Sequence, residues 1–337
     1  MSNLLDPAIL FFAFGVVAGA LRSNLEIPAS ISKFLSLYLL MALGLKGGFA
    51  LAQSGFSPSV AAALGAAMLM AVIVPALGYA CLRRFVSRYD AAAVAASYGS
   101  VSAVTFVTAM QFLESQQVSF GGHMTVAMVL MESPAIIMAV LLANSLRHAQ
   151  SAPSTVGVSA GGAALLGWGP SGAGVPLRRV LHESFTDGAH LLLLGAMAVG
   201  YLSGEAGKTV MQPFAGDLFK GMLAFFLLDM GLLVARNFGA ARAQSPVLIA
   251  YAALGPLVHA AIALTLAWLL RMPAGDATLL MVLSASASYI VVPAVLRYAV
   301  PEANPSLYFG LSLGITFPLN ILLGIPLYSV AARAALG

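Results

Sequence analysis

Apolar runs of roughly 20 residues, the helix length that crosses about 30 Å of hydrocarbon, recur along the whole chain between short charged, proline- or glycine-containing breaks. Five fill the first half, approximately Pro7 to Leu21, Pro28 to Ala52, Pro58 to Phe85, Asp90 to Leu113 and Gly121 to Leu146. Five more follow: Leu181 to Ser203, Pro213 to Ala235, Pro246 to Leu270, Asp276 to Ala299 and Asn304 to Ala332. Between them, Ala149 to Pro176 is rich in Gly, Ala, Ser and Pro and includes GGAALLGWGPSGAG, which supplies no stable helix across a bilayer. The pattern predicts an all-α polytopic membrane protein of ten transmembrane helices: residues 1–148 as a first five-helix unit, 149–179 as a linker and 180–337 as a second unit.

The two units echo each other. Lys33 stands eleven residues before Gly44 in the second span, and Lys220 stands eleven before Gly231 in the seventh. Pro58 and Pro246 both open third spans of their units, and Pro134 and Pro318 both lie inside fifth spans. A unit with an odd number of spans ends on the opposite side from where it began, so its copy enters the membrane upside down. Two inverted five-helix repeats are expected.

One span in each unit is a poor helix. AASYGSVSAVTFVTAM, from Ala95 to Met110, carries Gly99, Ser100, Ser102 and Thr105 at its centre, and LSASASYIVVP carries Ser284, Ser286 and Ser288 before Tyr289 and Pro293. Residues two apart on an α-helix point about 200° from each other, whereas in unwound chain they share a face. Broken fourth and ninth helices, meeting near the midplane, are therefore predicted. Unwound backbone at membrane depth is tolerated only where protein buries it or it lines a cavity, because its unpaired polar groups are costly in lipid. Two converging half-helix N-termini would suit a small anion. The carbonyls and the hydroxyls of Ser100, Ser102, Thr105, Ser286 and Ser288 offer only oxygen, the donor set of a hard cation such as Na⁺ rather than a transition metal. The same small residues also serve close helix packing, as do Gly15 and Gly19 of the first span.

Composition narrows the classes. The chain of 337 residues is 60% hydrophobic and 8% charged, more apolar than a soluble core requires. Its net charge of +4 is too small and scattered for a nucleic-acid footprint, and its basic residues fall mainly between apolar runs. Arg22, Arg83, Arg84, Arg88, Arg147, Arg178, Arg179, Arg236, Arg242 and Arg297 lie at alternate connections on one side, leaving little but Lys208, Arg271 and Arg333 opposite. The positive-inside rule places the first group in the cytoplasm and both termini outside. Asp6 before the first span and Arg22 after it reverse the charge order of a secretory signal, so that span is expected in the mature protein. The single cysteine, Cys81, forms no intrachain disulfide, and the five histidines lack metal-ligand spacing.

The deep charges are few. Glu132, in VLMESPAIIMAV beside Pro134, is a carboxylate inside an apolar span and is expected to face a cavity or a partner. Lys46 and Asp229, in the second spans of the two units, could form a structural ion pair, while Lys220 and Arg297 near span ends would snorkel to the interface. His182, Glu183 and Asp187 read as the acidic entrance of the sixth helix. No Ser/His or His/carboxylate constellation lies beside the broken spans, so an enzyme is not expected.

The segments LEIPASISKFLSLYLLMALGLKGGFAL, YGSVSAVTF, MESPAIIMAV, HESFTDGAHLLLLGAMAVG, SASASYIVVPAVLR and EANPSLYFGLSLGITFPLNILLGIPLY resemble, in order and spacing, the sodium-dependent bicarbonate transporters of cyanobacteria and their bacterial relatives. The resemblance covers nearly the whole chain except the linker. It implies a homotrimer in the bacterial inner membrane, a gate of spans 1, 2, 6 and 7, a core of spans 3–5 and 8–10 that moves against it, and inhibition from the cytoplasm by a PII-like protein. It further implies bicarbonate and Na⁺ between the broken spans. Where the family carries Asp after the serine run of the ninth span, this chain has Tyr289, and where it carries Asp in the fifth span, this chain has Glu132.

The expected function is Na⁺-coupled bicarbonate uptake with no cofactor. Gly99, Ser100, Val101, Ser102, Ala103, Ser286, Ser288, Tyr289 and Ile290 are expected around the anion. Ser100, Ser102, Thr105, Glu132 and Ser286 are expected at Na⁺. Two alternatives stay open: a Na⁺- or H⁺-coupled transporter of another small anion, such as a short carboxylate, with Glu132 as the H⁺-coupling group, and a PII-linked membrane sensor that carries little flux.

Overall fold

Helix starts are written into the sequence as a capping residue followed by proline, which fixes the first helical φ and has no N–H to orphan. The computed structural model, which describes residues 6–55, 57–151, 188–289, 292, 295–297 and 300–337, uses this device repeatedly. Asp6 caps α1 (Pro7–Ala20) by accepting the Ala8 N–H at 2.9 Å. Ser57 caps α3 (Pro58–Leu82), Ser245 caps α9 (Pro246–Leu269) and Asn304 caps α11 (Pro305–Leu336). Other helices bounded within the described residues are α2 (Ala29–Ser54), α4 (Arg88–Gly99), α5 (Ala103–Ser115), α6 (His123–Ser151), α7 (Gly188–Gln212), α8 (Leu218–Arg242) and α10 (Ala274–Ala285). Among the described residues there is no strand.

Among the described residues six stretches are long and apolar enough to cross a membrane: Ala29–Gln53, Pro58–Leu82, Arg88–Ser115, Leu191–Gly239, Pro246–Leu269 and Pro305–Leu336. Leu191–Gly239 spans 49 residues, which as one straight helix would be about 74 Å, more than twice a bilayer core. It is broken instead at Gly204, whose φ of +56° with ψ of −143° is open to glycine and to few other residues. The sequence places this break after Ser203 and a fresh start at Pro213; the chain in fact stays helical through Pro213, which opens a π-turn over Pro213–Asp217. Likewise α6 runs through Ser151, past the expected start of the linker, and the rest of the linker, with His182, Glu183 and Asp187, lies outside the described residues. In α11, π-turns at Ser312–Thr316 and Asn320–Gly324 each precede a proline, Pro318 and Pro326, by two residues. Each widened turn frees the carbonyl that the proline ring would otherwise strike.

Packing follows side-chain size. α1 lies on α8 and α2 on α7. A Cβ on Gly15 would fall 3.1 Å from the Gly231 Cα, and one on Gly231 would fall 2.8 Å from the Val16 nitrogen, so the α1 and α8 backbones touch. Gly44 and Gly200 do the same for α2 and α7: a Cβ on Gly44 would lie 2.5 Å from the Leu193 carbonyl oxygen. α3 packs on α4 and α9 on α10, and α6 covers both α3 and α4. The most apolar stretch of Arg88–Ser115 is 94% buried, against 39% for Pro246–Leu269. α4 and α5 therefore sit inside the protein, and α10, buried at every residue from Gly275 to Ala285, accompanies them.

The expected pair between Lys46 and Asp229 is not formed. Lys46 Nζ contacts Glu114 Oε1 at 3.0 Å and Oε2 at 3.3 Å and stands 4.3 Å from the centre of the Phe219 ring, joining α2 to α5 and α8. Asp229 instead hydrogen-bonds Ser32. Spacing within a helix gives the depth of a charge but not the direction it faces, and the packing of α5 against α2 supplied the nearer acid. A double-mutant cycle of Lys46→Ala and Glu114→Ala, read by thermal unfolding in detergent, is expected to return a coupling of about 1 kcal/mol, because both groups keep partial exposure. Asp229→Asn is expected to couple to Lys46→Ala not at all.

Candidate functional site

Both predicted breaks are present, and they are alike. α4 stops at Gly99 and α5 restarts at Ala103, and α10 stops at Ala285 before residues 286–288 run extended. The first residue of each break has nearly the same backbone: Ser100 at φ −92°, ψ 173° and Ser286 at φ −83°, ψ 169°. Ser284 is still helical, so the unwound part of the second stretch is shorter than its serine spacing suggests.

The two extended segments meet and satisfy each other. The Ser102 N–H donates to Ser286 Oγ at 3.0 Å, and the Ser288 N–H donates to the Ser97 carbonyl at 2.7 Å. Ser286 Oγ in turn donates to the Leu283 carbonyl at 2.9 Å. The freed Ala285 carbonyl accepts from Asn320 Nδ2 at 2.8 Å, and Asn320 Oδ1 accepts the Tyr328 hydroxyl at 3.0 Å. The loose ends of a helix broken inside the protein are thus taken up by serine and asparagine side chains.

Serines also take up N–H groups that follow the breaks. Ser102 Oγ accepts the Thr105 N–H at 3.3 Å and the Thr105 hydroxyl at 3.0 Å, capping α5, and Ser288 Oγ accepts the Val292 N–H at 3.4 Å. The first-turn N–H groups of α5 at Ala103 and Val104 have no intrahelical carbonyl to bond. Together with the helix dipole they place positive potential at the crossing. Around it the hydroxyl oxygens of Ser97, Ser100 and Ser284 are buried and have no hydrogen-bond partner among the described residues. Buried hydroxyls normally find a partner, so these three oxygens hold hydrogen-bonding capacity that the described residues leave unused. Among the described residues, no three His, Cys, Asp or Glu side chains gather into a metal set.

The predicted residues are distributed as follows. Ser100, Ser102, Ser286, Ser288 and Thr105 come together, all buried, with Val101 between the first two serines and Ala103 opening α5. Gly99 has a packing reason to be small: a Cβ there would lie 2.6 Å from the Pro75 ring of α3. Glu132 is buried on α6, the helix that covers α4. Tyr289 is buried beside Ser102 and donates its hydroxyl to Met230 Sδ of α8 at 3.8 Å. Ile290 lies outside the described residues. The sequence reading missed Ser97, Asn320 and Met230. Ser97 lies in the last turn of α4, three residues before Ser100, and was legible as one more serine of that run, whereas Asn320 and Met230 reach the crossing only through the packing of α11 and α8.

A further buried set steadies α4. The Tyr98 and Thr316 hydroxyls lie 2.6 Å apart, and Thr316 donates to the Ala252 carbonyl at 2.8 Å, so α4 is tied through the first π-turn of α11 to α9. The profile of the Na⁺-dependent bicarbonate transporter superfamily matches residues 7–333. No curated protein matches the chain.

Proposed function

The chain belongs to the Na⁺-dependent bicarbonate transporter superfamily, and from that membership we propose that it takes up bicarbonate with Na⁺ by alternating access. The observation that carries this reading is the pair of matched helix breaks, cross-bonded through Ser102, Ser286 and Ser288, with unpartnered buried hydroxyls beside them. The anion rests at the α5 N-terminus and its counterpart after Ser288, among Gly99, Ser100, Val101, Ser102, Ala103, Ser286, Ser288, Tyr289 and Ile290. Na⁺ takes the oxygens of Ser100, Ser102, Thr105 and Ser286, with Glu132 holding or orienting it. A cation bound beside the anion offsets its charge, so that neither enters the low-dielectric interior alone.

The inverted repeat follows the same reading. Pairing of α1 with α8 and α2 with α7, of α3 with α4 and α9 with α10, and the near-equal backbone at Ser100 and Ser286 support it. In this scheme α1, α2, α7 and α8 form the gate, and α3–α6 with α9–α11 form the moving core. The homotrimer, the inner-membrane location with both termini outside and the cytoplasmic PII-like partner are part of the same proposal.

Proteoliposomes holding the purified protein are expected to accumulate radiolabelled bicarbonate when an inward Na⁺ gradient is imposed, and to show background uptake without it. Na⁺-independent uptake driven by a proton gradient would replace this reading with the one the buried Glu132 favours, H⁺-coupled transport of a small carboxylate. Absence of uptake under both gradients would sink both.

A further inference from the structure

Tyr289 follows directly on the extended residues 286–288 and is 5% exposed. Its ring meets Phe317 of α11 edge-on at 5.4 Å, and Phe317 meets Phe12 of α1 in the same way at 5.7 Å. Packing of this kind fixes the ring plane but leaves the C–O–H torsion free, so the acceptor that the hydroxyl reaches decides where the proton points. That acceptor is the Met230 thioether of α8, 3.8 Å away and weak.

The other side of the phenol faces α5. Ser102 Oγ already accepts twice, from the Thr105 N–H and from the Thr105 hydroxyl, so its own proton must be directed elsewhere. The Tyr289 oxygen lies beside it. The result is a directed chain, Thr105 to Ser102 to Tyr289 to Met230, that runs from the first turn of α5 to α8. Its last link is the weakest.

We propose that Tyr289 is an interlock between anion occupancy and the hold of the crossing on α8: with the crossing empty its O–H rests on Met230, and a bound anion accepts that O–H and frees α8. The inference rests on the reading that the crossing takes an anion, and it assigns a specific role to the residue that stands where the family has a carboxylate. An anion is a far better acceptor than a thioether, since charge-assisted hydrogen bonds are shorter and about twice as strong as neutral ones. The α5 N-terminus would hold the anion within reach of the phenol because Ser102 caps that terminus and neighbours the phenol at once.

The test uses Tyr289→Phe, Met230→Leu and the double variant in the full-length protein, read by uptake kinetics in proteoliposomes. Each is also read by anion-dependent protection of the 284–289 segment from hydrogen exchange, with bicarbonate, formate and acetate as probes. Tyr289→Phe is expected to raise the half-saturating anion concentration about tenfold. Met230→Leu, which removes the competing acceptor, is expected to lower it about threefold. The double variant is expected to match Tyr289→Phe alone, because without the hydroxyl the thioether has nothing to hold; a packing role for both residues would instead give losses of the same sign. Opposite shifts with any of the three anions support the interlock, and if that anion is not bicarbonate only the choice of cargo above is overturned. Shifts of the same sign, or none, in a wild-type background that responds to an anion overturn the interlock. A wild-type protein that responds to none of the three overturns both.

Discussion

Ser286→Ala is expected to reduce Na⁺-driven bicarbonate uptake by at least about tenfold while leaving a folded protein in the membrane. Ser286 Oγ accepts the Ser102 N–H at 3.0 Å and donates to the Leu283 carbonyl at 2.9 Å. Alanine removes both bonds and leaves a buried N–H with no acceptor, at a cost of about 1 to 3 kcal/mol. That energy is lost where the two extended segments touch, so the α5 N-terminus and the serine oxygens lose their relative position. Misplacement of about 1 Å is enough to cost a site a hundredfold in rate. Measured as uptake per properly inserted protein, with size-exclusion elution as the folding control, the variant separates a site defect from a folding defect. Ser59→Ala, exposed at the start of α3, is the matched control and is expected to transport normally.

Gly231→Leu is expected to abolish folded protein, and Gly231→Ala to cost about 3 kcal/mol of stability, seen as a large fall in the thermal midpoint in detergent. The α1 and α8 backbones are in contact here, and a Cβ on Gly231 would strike the Phe12 carbonyl and come within 2.8 Å of the Val16 nitrogen. Neither neighbour is a flexible side chain that could swing away. The helices must separate, giving up the close packing that takes the place of a hydrophobic driving force between helices in lipid. Gly65→Ala on α3 is the control: nothing lies within 4 Å of the added methyl, and the helix is expected to gain slightly from the better helix former. Equal stability of Gly231→Ala and Gly65→Ala would contradict the α1–α8 contact.

Much of this protein was legible from residue order alone because lipid imposes strict local rules. The apolar runs, the caps before Pro7, Pro58, Pro246 and Pro305, and the serines at Ser100, Ser102, Ser286 and Ser288 that mark two breaks are local signals, each set by the length of a helix or the bonding needs of its ends. The eleven-residue spacings that ended at Gly44 and Gly231 likewise fell on glycines where the backbones of neighbouring helices touch. Direction around a helix was not legible. Lys46 met Glu114 rather than Asp229, Asn320 reached the Ala285 carbonyl, and Tyr289 met Met230, because each contact joins residues far apart in the chain and depends on the rotation and crossing of whole helices. The breaks were therefore written in the serines, but which groups face one another across them was settled by packing. A helix carries side chains on every side, and only its neighbours select which of them meet.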